Sequence, residues 1–142
     1  MRFSEDTFGF LLSDTARLLR RAFEQSVQNT PITLAQARAL VYLARNEGIR
    51  QVDLADLLEI QPMTLARLID QLAAENLVER RQDPTDRRAY RLYLTEKAGA
   101  HLDAIAEVAE GLRNRALDGI SDEDREQVMA VLRRVRQNLA AR

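Results

Sequence analysis

The sequence predicts a mainly α chain of the α+β class, with a single small hairpin set among its helices. Three observations carry this. Ala, Leu, Arg, Glu and Gln dominate the 142 residues, and all five favour helix. Apolar residues recur at three- and four-residue spacing through most of the chain. Only around Tyr90, Leu92 and Leu94 does the spacing change to two, the signature of a half-buried strand.

The elements follow in order. A first helix is expected from about Ser4 to Gln28, with Phe8, Leu11, Leu12, Leu18, Leu19, Ala22 and Phe23 as its apolar stripe. "NTPIT" breaks it. "TLAQ" then reads as a capping box, with Thr33 as cap and Gln36 reaching back to it, and opens a helix that carries Leu40, Val41 and Leu43. "NEGI" stops that helix. Two short helices come next, "QVDLADLLE" and "PMTLARLIDQLAAEN", with Pro62 in the first turn of the second, where a missing N–H costs nothing.

A strand at Val78–Arg81 is expected to pair with the strand carrying Tyr90, Leu92 and Leu94, which makes "QDPTDR" a hairpin tip. Thr95 is placed to cap a long helix from Glu96 to about Leu117, with Ala98, Leu102, Ile105, Leu112 and Ala116 inward. "DGIS" interrupts it. Ser121, followed by the acids of "DED", caps a last helix with the stripe Val128, Val131, Leu132, Val135 and Leu139. The terminal helices are too long to fold back fully on so small a centre. Their apolar stripes imply burial against a second copy, as a two-fold homodimer.

Composition bounds the function. At 46% hydrophobic and 30% charged residues the chain can build a core. Its net charge is −1, so contact with a polyanion has to come from a local patch. With no Cys, thiol redox sensing and Cys-based metal binding are excluded, which suits a reducing compartment. No apolar run approaches membrane-spanning length, and "MRFSEDTFGF" lacks the order of a signal peptide, so a cytoplasmic location and no membrane partner are expected.

On the second short helix, Leu65, Leu68, Ile69 and Leu72 form the inward stripe. Met63, Arg67, Asp70 and Ala74 then point outward, with Thr64 and Gln71 at the margins. A helix exposing Thr, Arg and Gln near its start, packed across another short helix, has the plan of a helix-turn-helix reader of the major groove. Arg67 is the candidate for direct readout, because guanidinium matches the two acceptors of guanine. Thr64 and the first-turn amides suit phosphates. The competing reading is an exposed Arg67–Asp70 ion pair, worth about half a kcal/mol or less.

The hairpin directly after this helix makes the unit a winged helix-turn-helix. Its tip carries Asp86, Arg87 and Arg88, and an arginine on a thin ribbon suits a narrow minor groove. Asp86 is expected to hold one arginine in a carboxylate–guanidinium fork before DNA arrives. A solvated, charge-rich turn is the bland alternative.

At this point the residues resemble a named family. "DPTDRRAYRLYLTEKAG" is similar to the wing signature of the MarR family of transcriptional regulators, especially its SlyA-like members. "ITLAQARALVYL" resembles the family's Leu-Thr-x-x-Gln helix start, and "QVDLADLLEIQPMTLARLIDQLAAENLVERR" its helix-turn-helix. The resemblance implies a homodimeric winged-helix regulator that binds a pseudo-palindromic operator in double-stranded DNA, as a repressor. By motif position Thr64 and Arg67 match groove-contacting residues, Gln71 lies at the margin of that face, and Arg87 and Arg88 match the wing tip. Gln51 is placed to reach a phosphate. It further implies three parts: residues 1–32 and 96–142 for dimerisation, and residues 33–95 for DNA binding. Glu59 departs from the pattern, since many relatives carry Gly there. If the bend needs positive φ, a non-Gly residue adds roughly 1 kcal/mol of strain.

Many such relatives are released from DNA by small phenolic or aromatic acids. Arg17 and Arg20 match positions that, in SlyA-like members, face an anionic ligand; "RLLRR" also reads as an ordinary polar face or a source of salt bridges. His101 is positioned to neighbour such a cavity or to serve in packing. One His with scattered acids does not make a metal site, and no cofactor is implied. Nothing assembles a catalytic set, so an enzyme is not expected. The remaining alternative is a winged-helix protein–protein adaptor, which the polar character of the exposed face disfavours.

Overall fold

The computed structural model describes residues 2–141. Among these, six helices and one hairpin run in the order α1 Phe8–Ser26, α2 Leu34–Arg45, α3 Gln51–Leu58, α4 Pro62–Ala74, β1 Val78–Gln82, β2 Tyr90–Leu94, α5 Ala98–Ala116 and α6 Asp122–Ala140. The first helix starts later than its apolar pattern suggests. The Thr7 N–H and hydroxyl both donate to the Ser4 carbonyl, at 3.1 and 3.0 Å, so the chain makes one tight turn before α1.

Local signals set the other boundaries. The capping box of α2 is complete: the Gln36 N–H donates to Thr33 Oγ1 and the Thr33 N–H to Gln36 Oε1, both at 3.1 Å. Ser121 Oγ accepts the Asp124 N–H at 3.2 Å and opens α6. Thr95, in contrast, does not cap α5 through its side chain. Its hydroxyl donates to the Asn76 carbonyl and its N–H to that of Leu77, which fastens the exit of β2 to the turn between α4 and β1. The helix therefore begins at Ala98. Ala116, expected inward, is exposed.

Between α3 and α4, Glu59 adopts φ 56° and ψ 43°, the left-handed conformation. The bend does need positive φ, and a side chain sits where Gly would be unstrained. Glu59→Gly is expected to raise the unfolding free energy by about 0.5–1 kcal/mol, after allowing for the greater freedom of Gly in the unfolded chain. Glu59→Ala, which keeps the strain, should leave the urea midpoint nearly unchanged.

The strands pair antiparallel, with Val78 opposite Leu94, Arg80 opposite Leu92 and Gln82 opposite Tyr90. The other edge of β2 is also occupied. Gly48 N–H donates to the Leu92 carbonyl at 2.8 Å and Leu92 N–H to that of Ile49 at 2.9 Å, so the segment before α3 clasps the hairpin at its base. Of the apolar face of β2, Leu92 is fully buried, while Tyr90, nearer the tip, is exposed.

The most deeply buried large side chains are Leu40, Leu43, Leu54, Leu65, Ile69, Leu72, Leu77 and Leu92, all between α2 and β2. The chain ends differ. α6 buries no residue, and α1 buries only Phe23. Phe8, Leu11, Leu12, Leu18 and Leu19, with Val128, Val131, Leu132 and Leu139 of α6, are all exposed. The stripes read from the sequence exist, but within one chain they face solvent.

Candidate nucleic-acid interface

α4 presents the two faces its spacing dictates. Leu65, Leu68, Ile69 and Leu72 are buried, and Met63, Thr64, Arg67, Asp70 and Gln71 are exposed. The Arg67–Asp70 pair does not form. Asp70 Oδ1 instead accepts from Arg80 Nη1 of β1 at 2.6 Å. Arg80 Nε donates to Gln51 Oε1 at 2.9 Å and its Nη2 to the Ala66 carbonyl at 3.0 Å. One guanidinium thus ties together the start of α3, the middle of α4 and the hairpin. Gln51 commits its carboxamide oxygen inward, so only its amide NH₂ remains for an outside acceptor. Among the described residues Arg67 has no ion-pair or hydrogen-bond partner for its side chain.

The hairpin is organised by a residue that the sequence reading passed over. Asp83 is 2% exposed, the one buried charged residue in the core of the described chain. Its Oδ2 accepts from Arg50 Nε at 3.0 Å and Arg91 Nε at 2.9 Å. Its Oδ1 accepts from the Thr85 N–H at 2.8 Å, the Thr85 hydroxyl at 2.7 Å and the Asp86 N–H at 3.2 Å. The Thr85 hydroxyl, then its N–H, then the charges of Arg50 and Arg91 hold this carboxyl well below the usual carboxylate range, against the opposing effect of desolvation. Arg91 Nη1 also donates to the Gly48 carbonyl at 2.9 Å, so the root of the wing is locked to the segment before α3.

The arginine-holding role expected of Asp86 therefore belongs to Asp83, which takes one bond from each of two arginines on a single oxygen and forms no fork. Asp86 lies on the exposed turn, where its Oδ1 accepts the Arg88 N–H at 3.0 Å and its carbonyl accepts the Ala89 N–H at 3.1 Å. Gln82 Nε2 donates to the Arg87 carbonyl at 2.9 Å. These bonds set the backbone of the tip and leave the Arg87 and Arg88 side chains exposed, with no ion pair among the described residues. Between tip and helices lies a cleft of about 230 Å³, bordered by Arg50, Gln51, Pro62, Asp86, Arg88 and Tyr90.

A second concavity, about 280 Å³, lies between α1, α2 and α5 and is largely apolar; Leu19, Arg20, Phe23, Arg38, Tyr42 and Ile105 line it. Arg20 borders it as expected. Arg17 does not: it is exposed and sits 3.8 Å from Asp14 on the same helix. The second cation at the groove is Arg38, whose guanidinium carbon lies 5.9 Å from the centre of the Tyr42 ring. No spacing rule could have joined Arg20 to Arg38, because they lie on different helices. His101 borders a separate cavity of about 180 Å³, beside Lys97 and Gln36. Among the described residues no helix is long and apolar enough to cross a membrane, and no three His, Asp or Glu side chains are grouped to hold a metal ion.

Known proteins share this fold. The MarR family profile matches residues 32–90, from the loop before α2 to the start of β2. The uncharacterized HTH-type transcriptional regulator YybA of Bacillus subtilis (strain 168) is 28% identical over 124 residues, 87% of this chain and 83% of that protein. A MarR transcriptional regulator from Methanosarcina mazei Go1 superposes with a TM-score of 0.81 at 29% identity, covering 92% of this chain and 94% of that one. A crystal structure of MarR gives 0.85 at 26% identity, over 96% and 94%. The helix-turn-helix and wing of this chain, residues 32–90, match the MarR family of transcriptional regulators, and the chain as a whole shares the fold of solved MarR regulators.

Proposed function

We propose that the chain is a sequence-specific double-stranded DNA-binding regulator that acts as a homodimer on a pseudo-palindromic operator. The observation that carries this is the sorting of its arginines. Arg50, Arg80 and Arg91 are committed to carboxylate or carbonyl partners inside the lobe, while Arg67, Arg87 and Arg88 stand exposed on α4 and the wing tip. An uncompensated guanidinium on a reading helix matches guanine O6 and N7, and a pair on a thin ribbon matches a narrow minor groove. Thr64 and the first-turn amides of α4 take phosphates, as does the remaining amide of Gln51; Gln71 flanks the reading face, and Asp86 shapes the tip.

Residues 33–95 form the reading part, and residues 1–32 and 96–142 the dimerisation part. The exposed leucines, valines and phenylalanines of α1 and α6 support the second assignment, since burying each is worth about 1.5–3 kcal/mol. Two such lobes address successive major grooves about 34 Å apart. A protein of the same fold, MepR of S. aureus, has been solved as a DNA complex; it is 24% identical, with a TM-score of 0.71 over 96% of this chain and 99% of that one.

The regulator is read as a repressor released by a small aromatic or phenolic acid. The apolar groove with Arg20 and Arg38 at its border suits an aromatic body and one carboxylate. CouR of Rhodococcus jostii RHA1, a fold relative at 23% identity and a TM-score of 0.74, was solved bound to p-coumaroyl-CoA. Such a ligand acts only if it binds the DNA-incompetent spacing of the two lobes more tightly than the competent one.

In vitro selection of genomic fragments, followed by titration of the best fragment at several salt concentrations with and without aromatic acids, tests the reading. Uniformly weak binding to every fragment overturns it. In that titration Arg88→Ala should lower affinity on specific and random DNA alike. Each phosphate neutralised contributes about 0.9 to the salt slope, so two wings losing one contact each should reduce it by nearly 2.

A further inference from the structure

Met63 is 71% exposed, on the ridge of α4 opposite the buried stripe. At 100° per residue it lies about 40° around the helix from Arg67, and Thr64 lies about 100° away toward the flank. A large apolar side chain at the centre of this face adds nothing to the core. It also offers nothing to a phosphate. Base edges in the major groove are polar with one exception, the 5-methyl group of thymine. Methionine, unbranched and with a polarisable thioether, can follow such a methyl without demanding one rigid geometry.

We infer that Met63 is a specificity residue that reads the 5-methyl group of a thymine in each half-site, beside the base contacted by Arg67. The inference rests on the DNA-binding reading above and names one of the bases read. Met63 and Arg67 start about 6 Å apart along the helix axis, which places the thymine within about two base pairs of the Arg67 contact. Arg67 thus supplies the polar half of the readout and Met63 the apolar half.

The test replaces each thymidine of the selected fragment, one symmetric pair at a time, with deoxyuridine, which keeps the hydrogen-bonding groups and removes only the methyl. For the native protein one pair of positions should weaken binding by roughly fourfold per half-site, the weight of one buried methyl group. Met63→Ala should bind the unmodified fragment correspondingly less well and be indifferent to deoxyuridine at that pair. Met63→Leu, still apolar, should keep part of the discrimination. An exposed position makes all three proteins equally stable, which thermal unfolding verifies. If the native protein and Met63→Ala give the same deoxyuridine profile at every position, the inference falls and the DNA-binding reading stands. If no fragment is preferred at all, both fall together.

Discussion

Asp83→Ala is expected to cost the protein its wing. The substitution removes the acceptor for five donors at once and leaves the Arg50 and Arg91 guanidinium groups side by side without a counter-charge. Breaking a buried pair by removing one partner is far more damaging than never having had it, and here a drop of about 10 °C in Tm is expected. Asp83→Asn should fare little better. If its amide oxygen keeps the Thr85 contacts, its NH₂ faces two N–H donors. DNA binding should weaken with the stability loss, because Arg87 and Arg88 are placed by the same hairpin. A variant with unchanged Tm and unchanged DNA affinity would show that the network organises nothing.

The same residue sets an acid limit. Its carboxyl titrates below its unfolded value near 4, so its contribution is fully present above that pH and is lost as the pH falls below it. Stability near neutrality should be insensitive to this group. Melting curves between pH 7 and 3 should show a steeper acid decline for the native chain than for Asp83→Asn.

Arg67→Ala is expected to act on recognition and leave stability alone. The side chain is exposed and holds no partner, so Tm should move little. On the selected operator each half-site should lose about 1–3 kcal/mol, the value of a bidentate base contact, while random DNA should lose much less. Equal losses on specific and random DNA would reduce Arg67 to a phosphate contact. Its freedom depends on Arg80, which draws Asp70 away at 2.6 Å; Arg80→Ala would release Asp70 and should weaken operator binding without touching the reading face directly.

Much of this was legible in the chain. The capping box at Thr33, the cap at Ser121, the proline at the start of α4 and the inward stripe of Leu65, Leu68, Ile69 and Leu72 all act over three or four residues. Local spacing is therefore enough to see them. The partners of Gln51 and Asp70 were not, because both side chains are claimed by Arg80, whose position depends on the hairpin being folded. Arg80 meets Gln51 across 29 residues of sequence, and Arg50 meets Asp83 across 33. A carboxylate in a charge-rich turn looks solvated until the turn is seen lying against the segment before α3.

By itself, then, the sequence determined the helices, the winged helix-turn-helix and the apolar stripes at the chain ends, through periodicities that any short segment carries. Only the tertiary structure decided which charges are spent on the fold and which stay exposed and unpaired. Arg80 and Arg91 look no different in the sequence from Arg67 and Arg88, and the pairing of a guanidinium is settled by whichever carboxylate or carbonyl the folded backbone brings within about 3 Å.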